Sequence, residues 1–511
     1  MKKTITKRTI CIFLAVLTIL SSFGMPAAYA AEEVKLSNSV QAHKYNMDLT
    51  LDTKKDTLTQ KVRIKVKNDS DKPVKELYFR NIAHSVIEFD KKEYNQKVNK
   101  NKKSVIKSVS VKGTGKLKVN YKKDKSVFYV KLKKPLKPNK TAIVTIKAKT
   151  DIPMRDDRFG YRKTKDGKQY CLSFCFPYLA PNKNGQWNKD PFFDDGETRA
   201  SEITNYDVTF RAPKRFKVAA SGTQTTKKGV TKINARKMRD FAIVACDFME
   251  KETFKVQNVT VNSYYLPGKY QKKFRKLSKL VATDAINLYT EKIGECPYKE
   301  LDMLPCFFGF FFGGMEYPGL IMNNATSYYG KGTIAAKSDP YSLRSVISHE
   351  IAHQWFFAAV GNNEYREGWL DEGFTTYCER AIYDWADTKS LRYANSYSDP
   401  KIDNDRIKQE YAELIADAHK DKTPNYVNIP VNKYGKNDSY GEREYEYGFM
   451  FLCELELVMG EENFSRFLKE YYNKYKFKIA KTKHLLKLIR KIDNSDEVNA
   501  VIKKYVNEKY L

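Results

Sequence analysis

The sequence predicts a multidomain protein in which an N-terminal all-β, sandwich-like domain precedes a mainly α domain with a small β-sheet. The chain has 511 residues, which exceeds the usual span of one domain. Hydrophobic residues make up 41% of it and aromatic residues 13%, enough to form large cores. Apolar residues alternate with period two before residue 262, and helical periodicity dominates after Gln271.

The first domain has the pattern of many short strands. Apolar and polar residues alternate around Tyr45, Met47, Leu49, Leu51, Val62, Ile64 and Val66. Turn signals at 68–71 and 137–139 separate such stretches, as is typical of a sandwich or barrel-like layer. Residues 171–195 are rich in Phe, Pro, Asn and Gly and predict a long irregular loop.

The second domain has the pattern of helices. Apolar residues recur at helical spacing from Gln271 to Glu295, and further helices are predicted at 370–381, 485–492 and 498–506. The one strong strand signal is the Phe-rich run from Leu304 to Met322, which glycines interrupt.

The turn signal Leu266-Pro267-Gly268 separates the two patterns. We therefore assign residues 31–262 to the β domain and 263–511 to the helical domain.

The N-terminus has the three parts of a secretory signal peptide. Lys2, Lys3, Lys7 and Arg8 form a basic region, residues 10–20 form an apolar region, and 28–30 form a small-x-small cleavage site. We therefore predict that residues 1–30 are removed and that the mature chain is secreted from Ala31 onward. The alternative is an uncleaved anchor, although the apolar region is short for a membrane span.

The charge is strongly positive. The whole chain carries +31, and the signal contributes four cations and no acids, so the mature chain carries 31 − 4 = +27. Dispersed lysines favour solubility and loose affinity for polyanions, so we expect an anionic cell envelope as a neighbour. No nucleic-acid-binding motif occurs in the sequence, and secretion argues against that role.

The cysteine count leaves the redox state open. Removing Cys11 with the signal leaves seven of eight cysteines, an odd number that cannot pair completely within one chain. Cys171/Cys175 and Cys296/Cys306 are close enough in sequence to be candidate disulfides. Buried free thiols are the alternative, because several cysteines lie in apolar runs.

Segment 348–355 contains the pattern His-Glu-x-x-His. Apolar residues recur at helical spacing around it, namely at Leu343, Val346, Ile347, Ile351, Trp355 and Phe356. Residues four apart lie on one face of a helix, so the imidazoles of His349 and His353 can reach one ion together.

A catalytic zinc keeps one of its four positions for water, so it needs a third protein ligand. Glu372 follows His353 after eighteen intervening residues, near the start of the predicted helix 370–381. Two histidines and one glutamate are the set of a hydrolytic zinc. We therefore predict one Zn²⁺ per chain held by His349, His353 and Glu372, with Glu350 accepting a proton from the bound water.

The alternative is that this pattern is an ordinary turn of an amphipathic helix. The chain has only six histidines, and two of them stand in this register with a glutamate at a ligand spacing. This combination favours the metal site.

A second motif, Gly313-Gly314-Met315-Glu316, precedes the histidine helix. Glycines let a backbone approach another group closely, and an edge strand can pair with an extended peptide. Glu316 would then bind a free α-ammonium, and Gly313, Gly314 and Met315 would line the substrate. From spacing alone, a plain turn is the alternative.

Three motifs follow one another: Gly-x-Met-Glu at 313–316, His-Glu-x-x-His at 349–353 and Trp-Leu-x-Glu-Gly-Phe at 369–374. Together they resemble the gluzincin aminopeptidases, the family of aminopeptidase N and leukotriene hydrolase. The resemblance implies a thermolysin-like catalytic domain, a zinc cofactor and peptide substrates with a free N-terminus. In that family the glutamate of Gly-x-Met-Glu-Asn binds the substrate's amino terminus, which implies Glu316.

The family also has a tyrosine, in a Tyr-x-Lys-Gly pattern, that stabilises the oxyanion. Segment 445–448 is similar to that pattern, which implies Tyr445. A phenol is a suitable donor to the negative charge that develops on a tetrahedral intermediate. Tyr447 and Tyr440 are the alternatives.

The chain departs from the family pattern at several positions. Tyr317 replaces the family's asparagine, Tyr447 replaces its lysine, and Phe174 stands where its N-terminal domain often has a glutamine. Members often add a C-terminal helical domain, which we do not expect here, so we expect a more open cleft. Glu379 is a candidate for orienting a zinc histidine, and a solvated helix residue is its alternative.

These observations predict a secreted zinc aminopeptidase. A zinc endopeptidase with an open cleft and a non-catalytic, envelope-associated binding protein of the same fold are the alternatives. The sequence leaves open the preferred side chain, the physiological substrate and the oligomeric state.

Overall fold

The computed structural model describes residues 39–93, 96–123, 125–190, 192, 201–268, 271–309, 312–325, 340–385, 426–434 and 440–511. The predicted signal peptide therefore lies outside the described residues. Among the described helices, none is both long and apolar enough to cross a membrane.

The N-terminal region is built from strands with two short helices. The strands are β1 (Val40–Asp52), β2 (Thr57–Asn68), β3 (Val74–Arg80), β4 (Ser104–Val111), β5 (Gly115–Leu117), β6 (Asn120–Tyr121), β7 (Val127–Leu136), β8 (Thr141–Asp151), β9 (Phe159–Lys163), β10 (Lys168–Leu172), β11 (Tyr178–Leu179), β12 (Asn182–Lys183), β13 (Gln186–Trp187), β14 (Thr204–Arg211), β15 (Lys217–Ala220), β16 (Thr223–Lys227), β17 (Val230–Met238) and β18 (Ile243–Cys246). The helices are α1 (Ile82–Glu93) and α2 (Gln96–Asn99).

These strands form several sheets, and most of their buried apolar side chains belong to one core. The largest sheet has the order β16-β17-β14-β1-β2-β8-β4-β5, and two four-stranded sheets have the orders β15-β18-β10-β9 and β11-β3-β7-β6. The alternating residues Tyr45, Met47, Leu49 and Leu51 are buried in that core, as period two requires. The segment expected to be an irregular loop instead carries the short strands β11 to β13.

The second region is mainly helical around a small sheet. Its strands are β19 (Glu250–Val256), β20 (Val259–Tyr265), β21 (Glu300–Cys306), β22 (Gly314–Tyr317), β23 (Leu320–Asn324), β24 (Val360–Gly361) and β25 (Lys478–Ile479). Its helices are α3 (Gln271–Lys292), α4 (Pro340–Ala352), α5 (Glu364–Glu367), α6 (Trp369–Trp385), a π-helical segment (Gly441–Tyr447), α7 (Gly448–Tyr475), α8 (Thr482–Ile492) and α9 (Asp496–Tyr505). Two 3₁₀ turns lie at Val431–Lys433 and Glu508–Tyr510. The predicted fold class, a β-rich region followed by a helical one, is confirmed.

The sheet of this region has the order β19-β20-β21-β23-β22, and the domain boundary between residues 262 and 263 stays a prediction. That boundary falls within β20, which pairs in parallel with β21. The sheet therefore begins at Glu250, and the turn signal at 266–268 directly follows the end of β20. Sequence spacing could not show this, because β20 and β21 lie on either side of helix α3.

The candidate disulfides are not formed. The seven cysteines within the described residues are free thiols, and all but the half-buried Cys296 are buried. The Cys171/Cys175 and Cys296/Cys306 pairings are therefore wrong, and the buried-thiol alternative is correct.

Asp302 on β21 is a buried carboxylate where the two regions meet. Its Oδ1 accepts a hydrogen bond from Asn262 Nδ2 at 2.7 Å, and its Oδ2 accepts one from the Ala220 backbone N–H at 3.1 Å. Burial, together with the charge of Glu300, raises the pKa of Asp302 to about 7 against the opposing hydrogen bond from Asn262. The folded protein thus keeps a proton on this group at mildly acidic pH.

This proton makes stability depend on pH. An unfolded aspartate ionises near pH 4, so the contribution of Asp302 is full below about pH 4 and is lost as the pH rises through about 7. We expect Asp302→Asn, which cannot ionise, to show a smaller drop in Tm between pH 5 and pH 8 than the wild type. Calorimetry at the two pH values measures this difference, and equal drops would contradict the assignment.

Candidate metal centre and active site

Helix α4 carries the first two candidate ligands. It begins at Pro340, whose fixed φ suits a first helical position, and it packs against α3 and α6. His349 lies in its last turn, and His353 follows immediately, with its backbone N–H still bonded to the His349 carbonyl at 3.2 Å. Both side chains face α6, and their Nε2 atoms lie 3.1 Å apart.

Helix α6 places the third candidate ligand between the two histidines. Glu372 Oε2 lies 3.2 Å from His349 Nε2 and 3.3 Å from His353 Nε2. All three side chains are buried, and one ligand atom from each lies within 4.8 Å of the others. The structure thus brings together the set predicted from spacing.

The two histidines are oriented by contacts at their outer nitrogens. His349 Nδ1 lies 3.0 Å from Glu379 Oε2, and His353 Nδ1 lies 3.2 Å from the Phe356 carbonyl oxygen. Protons on both Nδ1 atoms leave both Nε2 lone pairs aimed at one point. At most one proton fits between two nitrogens so close together, whereas a metal ion accepts both lone pairs. The donor set therefore fits zinc.

Electrostatics at this point also favours a cation. Burial lowers the pKa of His349, but the neighbouring Glu372 and Glu379 outweigh that effect and raise it well above its usual value. Burial would raise the pKa of Glu379, yet its hydrogen bond to His349 holds it below its usual value. Carboxylates that stabilise a proton on an imidazole also stabilise a bound divalent cation.

The Glu350 carboxylate lies against strand β22. It is buried, and its Oε2 has no hydrogen-bond partner among the described residues. Burial raises its pKa well above the usual value, which nearby His349 opposes and Glu316 reinforces. A Cβ on Gly314 would lie 2.3 Å from Glu350 Oε1. Only glycine therefore lets the strand pass this close to the carboxylate.

Strand β22 presents Glu316 beside Glu350. Carboxylate oxygens of both residues and a ring nitrogen of His353 lie within 4.8 Å of one another. Glu316 is 3% exposed, and its Oε1 has no hydrogen-bond partner among the described residues. Gln354 fixes the turn after the strand: its Oε1 accepts from the Gly319 N–H at 2.8 Å.

The other residues of the 313–316 motif pack against neighbouring elements and not against the metal site. A Cβ on Gly313 would lie 2.8 Å from Val346 Cγ2 of α4, so this glycine also permits close packing. Met315 Sδ lies 3.6 Å from Arg158 Nη1, which joins the strand to the N-terminal region. Tyr317, which replaces the family's asparagine, has a fully buried side chain within a hydrophobic core. Phe174 also lies beneath Arg158, whose guanidinium is 5.4 Å from the ring centroid.

Tyr445 reaches the ligand set from the π-helical segment. Its hydroxyl donates to Glu372 Oε1 at 2.6 Å, and its ring stacks on that of His349 with centroids 5.7 Å apart. The alternatives lie further out: the Tyr440 ring packs edge-on against Tyr445, and the Tyr447 ring lies beneath the Arg443 guanidinium. π-helical segments are frequent at functional sites because they re-aim side chains.

Two carboxylates near the site were not predicted from the sequence. Asp371 is buried, and its Oδ1 lies 3.7 Å from His353 Nδ1. Glu444, one residue before Tyr445, accepts from the Trp369 N–H at the start of α6, and burial raises its pKa to about 8. Asp371 directly precedes Glu372, and Glu444 directly precedes Tyr445. These adjacent positions are the sequence signal that could have identified them.

The region that contains this geometry matches a known protein family. Residues 281–505 match the model of the peptidase family M1 domain. All three motifs and the π-helical segment lie within that match. The resemblance to gluzincin aminopeptidases inferred from the motifs is thereby confirmed.

Curated relatives are similar to about a third of this chain and are longer than it. Leucine aminopeptidase 2 of Aspergillus niger is 33% identical over 172 residues, which cover 33% of this chain and 24% of that protein. Aminopeptidase B of Homo sapiens is 29% identical over 170 residues, which cover 33% of this chain and 23% of that protein. The chain thus matches about a quarter of the length of these relatives.

Solved structures share the fold over both regions. An M1 zinc metallopeptidase mutant from Deinococcus radiodurans superposes with a TM-score of 0.60 at 16% identity, covering 93% of this chain and 95% of that one. A mutant of the M1 zinc metallopeptidase from that organism, bound to a Tyr-Ser-Ala substrate, gives 0.59 at 16% identity over 92% and 94%. At this identity the likeness shows the fold alone, over the helical region and the β-rich region before it.

Proposed function

We propose that this protein is a secreted zinc aminopeptidase that removes the N-terminal residue from peptides. One observation carries the proposal: the buried carboxylates of Glu316 and Glu350 converge beside the candidate ligand set. A substrate ammonium placed beside Glu316 would give this buried carboxylate a counter-charge, which endopeptidase chemistry does not require. The curated relatives named above, leucine aminopeptidase 2 and aminopeptidase B, support the same reaction class.

His349, His353 and Glu372 would hold one zinc ion. Zinc bound there would supply a Lewis acid for the scissile carbonyl and a water that ionises near neutral pH. The hydroxyl of Thr375, 3.4 Å from His349 Nε2, lies beside the ligands and helps to close the site on the α6 side.

The remaining steps belong to side chains of this chain. Glu316 binds the free α-ammonium and so sets which peptide bond reaches the site. Strand β22 lies at one edge of its sheet as described, where an extended peptide can pair with it. Glu350 accepts the proton of the attacking water and then delivers it to the leaving amine. The Tyr445 hydroxyl donates a hydrogen bond to the developing oxyanion.

Substrates with free and blocked N-termini test the proposal. We expect the wild type to hydrolyse free-amine amides or peptides and to leave their N-acetylated forms almost untouched. Glu316→Gln keeps the side-chain shape but loses the charge, so it should lower kcat/KM for free peptides about 100-fold, the usual scale for removing one partner of a buried charge pair. Steady-state kinetics on matched free and acetylated pairs measures both effects.

The alternatives predict other outcomes of the same assay. Equal rates on free and acetylated peptides would remove the exopeptidase assignment and favour the zinc endopeptidase. No hydrolysis and no bound zinc in the purified protein would favour the non-catalytic binding protein. Met315→Leu, which changes no charge, is the matched control on the same strand.

The secretory part of the proposal depends on residues 1–30, whose basic, apolar and small-residue parts match a cleavable signal. N-terminal sequencing of the protein from the growth medium should begin at Ala31. Protein found only inside cells and still beginning at Met1 would contradict it.

A further inference from the structure

The turn that follows His353 is strained and closely held. Phe357 has φ +116°, a value that disfavours any residue with a Cβ. The Phe357 N–H bonds to the Val360 carbonyl at 2.9 Å, and the Ala358 N–H bonds to the His353 carbonyl at 2.9 Å. Within this turn the Phe356 carbonyl accepts from His353 Nδ1. The orientation of the His353 ring thus depends on where the Phe356–Phe357 peptide lies.

Arg239 of the N-terminal region holds the next carbonyl of the same turn. Its Nε donates to the Phe357 carbonyl at 2.8 Å. Its Nη1 donates to the Ser201 carbonyl and its Nη2 to the Lys478 carbonyl, each at 3.0 Å. The side chain is 1% exposed. One buried guanidinium therefore joins three segments through main-chain carbonyls, with Phe357 one peptide away from the carbonyl that orients His353.

The hydroxyl of Tyr298 is a second donor that contacts the same turn. The Tyr298 hydroxyl lies 3.3 Å from the Ala358 carbonyl and 3.1 Å from the Lys237 carbonyl. Lys237 is two residues before Arg239, so both contacts tie this stretch of the N-terminal region to the turn. The Ala359 carbonyl accepts from the Phe477 N–H at 2.7 Å. The carbonyls of residues 357, 358 and 359 are thus all engaged.

The guanidinium of Arg239 occupies space that is open because residue 361 is a glycine. A Cβ on Gly361 would lie 1.7 Å from Arg239 Cζ and 2.0 Å from its Nη2. Any larger residue at position 361 must push the guanidinium off the turn. The glycine is therefore needed for the arginine, and its replacement perturbs the same contact without touching Arg239.

We propose that Arg239 is a positioning residue for zinc binding, which acts from the N-terminal region by fixing the Phe356–Phe357 turn and so the ring of His353. This inference rests on the proposed zinc function of the site. It makes the N-terminal region a functional part of the metal centre rather than a separate support. Outer contacts of zinc histidines commonly change metal affinity about 10- to 100-fold when they are lost.

The test is the rate at which the full-length zinc protein releases zinc to a competing chelator. We expect Arg239→Met to release zinc about 10- to 100-fold faster than the wild type. Arg239→Lys should fall between them, because one ammonium can replace only part of the three-carbonyl contact. The rate is measured well below the Tm of each variant, so that global unfolding does not contribute.

A matched variant separates positioning from general stability. Arg80 is also a buried arginine, and its Nη1 donates to a main-chain carbonyl, that of Asp190, at 2.7 Å away from the metal site. Arg80→Met should lower Tm but release zinc at the wild-type rate. Equal release rates in Arg80→Met and Arg239→Met would overturn the inference. Absence of zinc from the wild type would instead overturn the proposed function.

Gly361→Ala provides a second route should Arg239→Met fold poorly. It should also speed zinc release, because the added methyl displaces the guanidinium. In an Arg239→Ala background the methyl has room, so the double variant should release zinc no faster than Arg239→Ala alone. Additive effects of the two changes would contradict a shared mechanism.

Discussion

Replacing Glu350 with glutamine is expected to lower kcat/KM about 10³- to 10⁴-fold, at the upper end of the range for losing a general base, without loss of zinc. Glu350 is buried next to β22 and is not among the convergent ligand atoms of His349, His353 and Glu372. The amide has nearly the same shape but cannot accept the proton of the attacking water. Metal content and peptide hydrolysis, measured on the same preparation, show the two effects separately.

Two controls define the interpretation of Glu350→Gln. Glu350→Asp keeps the carboxylate but withdraws it by one methylene, so it should retain more activity than the amide variant. Removing zinc from the wild type with a chelator should abolish hydrolysis, and adding zinc back should restore it. Near-normal turnover by zinc-loaded Glu350→Gln would exclude Glu350 as the base.

Replacing Tyr445 with phenylalanine should lower kcat about 10²- to 10³-fold with little change in KM, as for other lost oxyanion donors. Its hydroxyl donates to Glu372 Oε1 at 2.6 Å, so it lies at the edge of the ligand set. The phenylalanine ring can still stack on His349, which keeps the packing. Loss confined to kcat indicates a contact that matters mainly in the transition state.

Tyr440→Phe is the matched control for this prediction. Tyr440 packs against Tyr445 at a centroid distance of 6.2 Å, so both variants remove a hydroxyl from the same cluster. We expect Tyr440→Phe to keep most of the wild-type kcat. A larger loss for Tyr440→Phe than for Tyr445→Phe would move the oxyanion role to the neighbouring ring.

The ligand set could be predicted from the sequence because helical geometry connects residue spacing to position. His349 and His353 share a face because they are four apart on one helix. Glu372 follows near the start of helix α6, which packs on α4. Tyr445 lies 73 residues beyond Glu372, so no local period could place it. Only resemblance to a known family suggested it, and the π-helical segment that aims it has no periodic signal.

What could not be predicted depends on contacts that leave no pattern in the chain. Arg239 binds main-chain carbonyls, which every residue has, so none of its partners marks the interaction in the sequence. The pairing of β20 with β21 left no pattern for a related reason, because the two strands lie on either side of helix α3. Side-chain spacing reports faces of single elements, whereas these features depend on how distant elements pack.

The close approach of Gly314 to Glu350 has a practical consequence for protein engineering. A library that diversifies the substrate-facing strand would lose its functional members wherever position 314 gains a side chain, because the base would be displaced whatever the intended selectivity. Variation aimed at a new N-terminal residue preference should therefore hold that glycine constant.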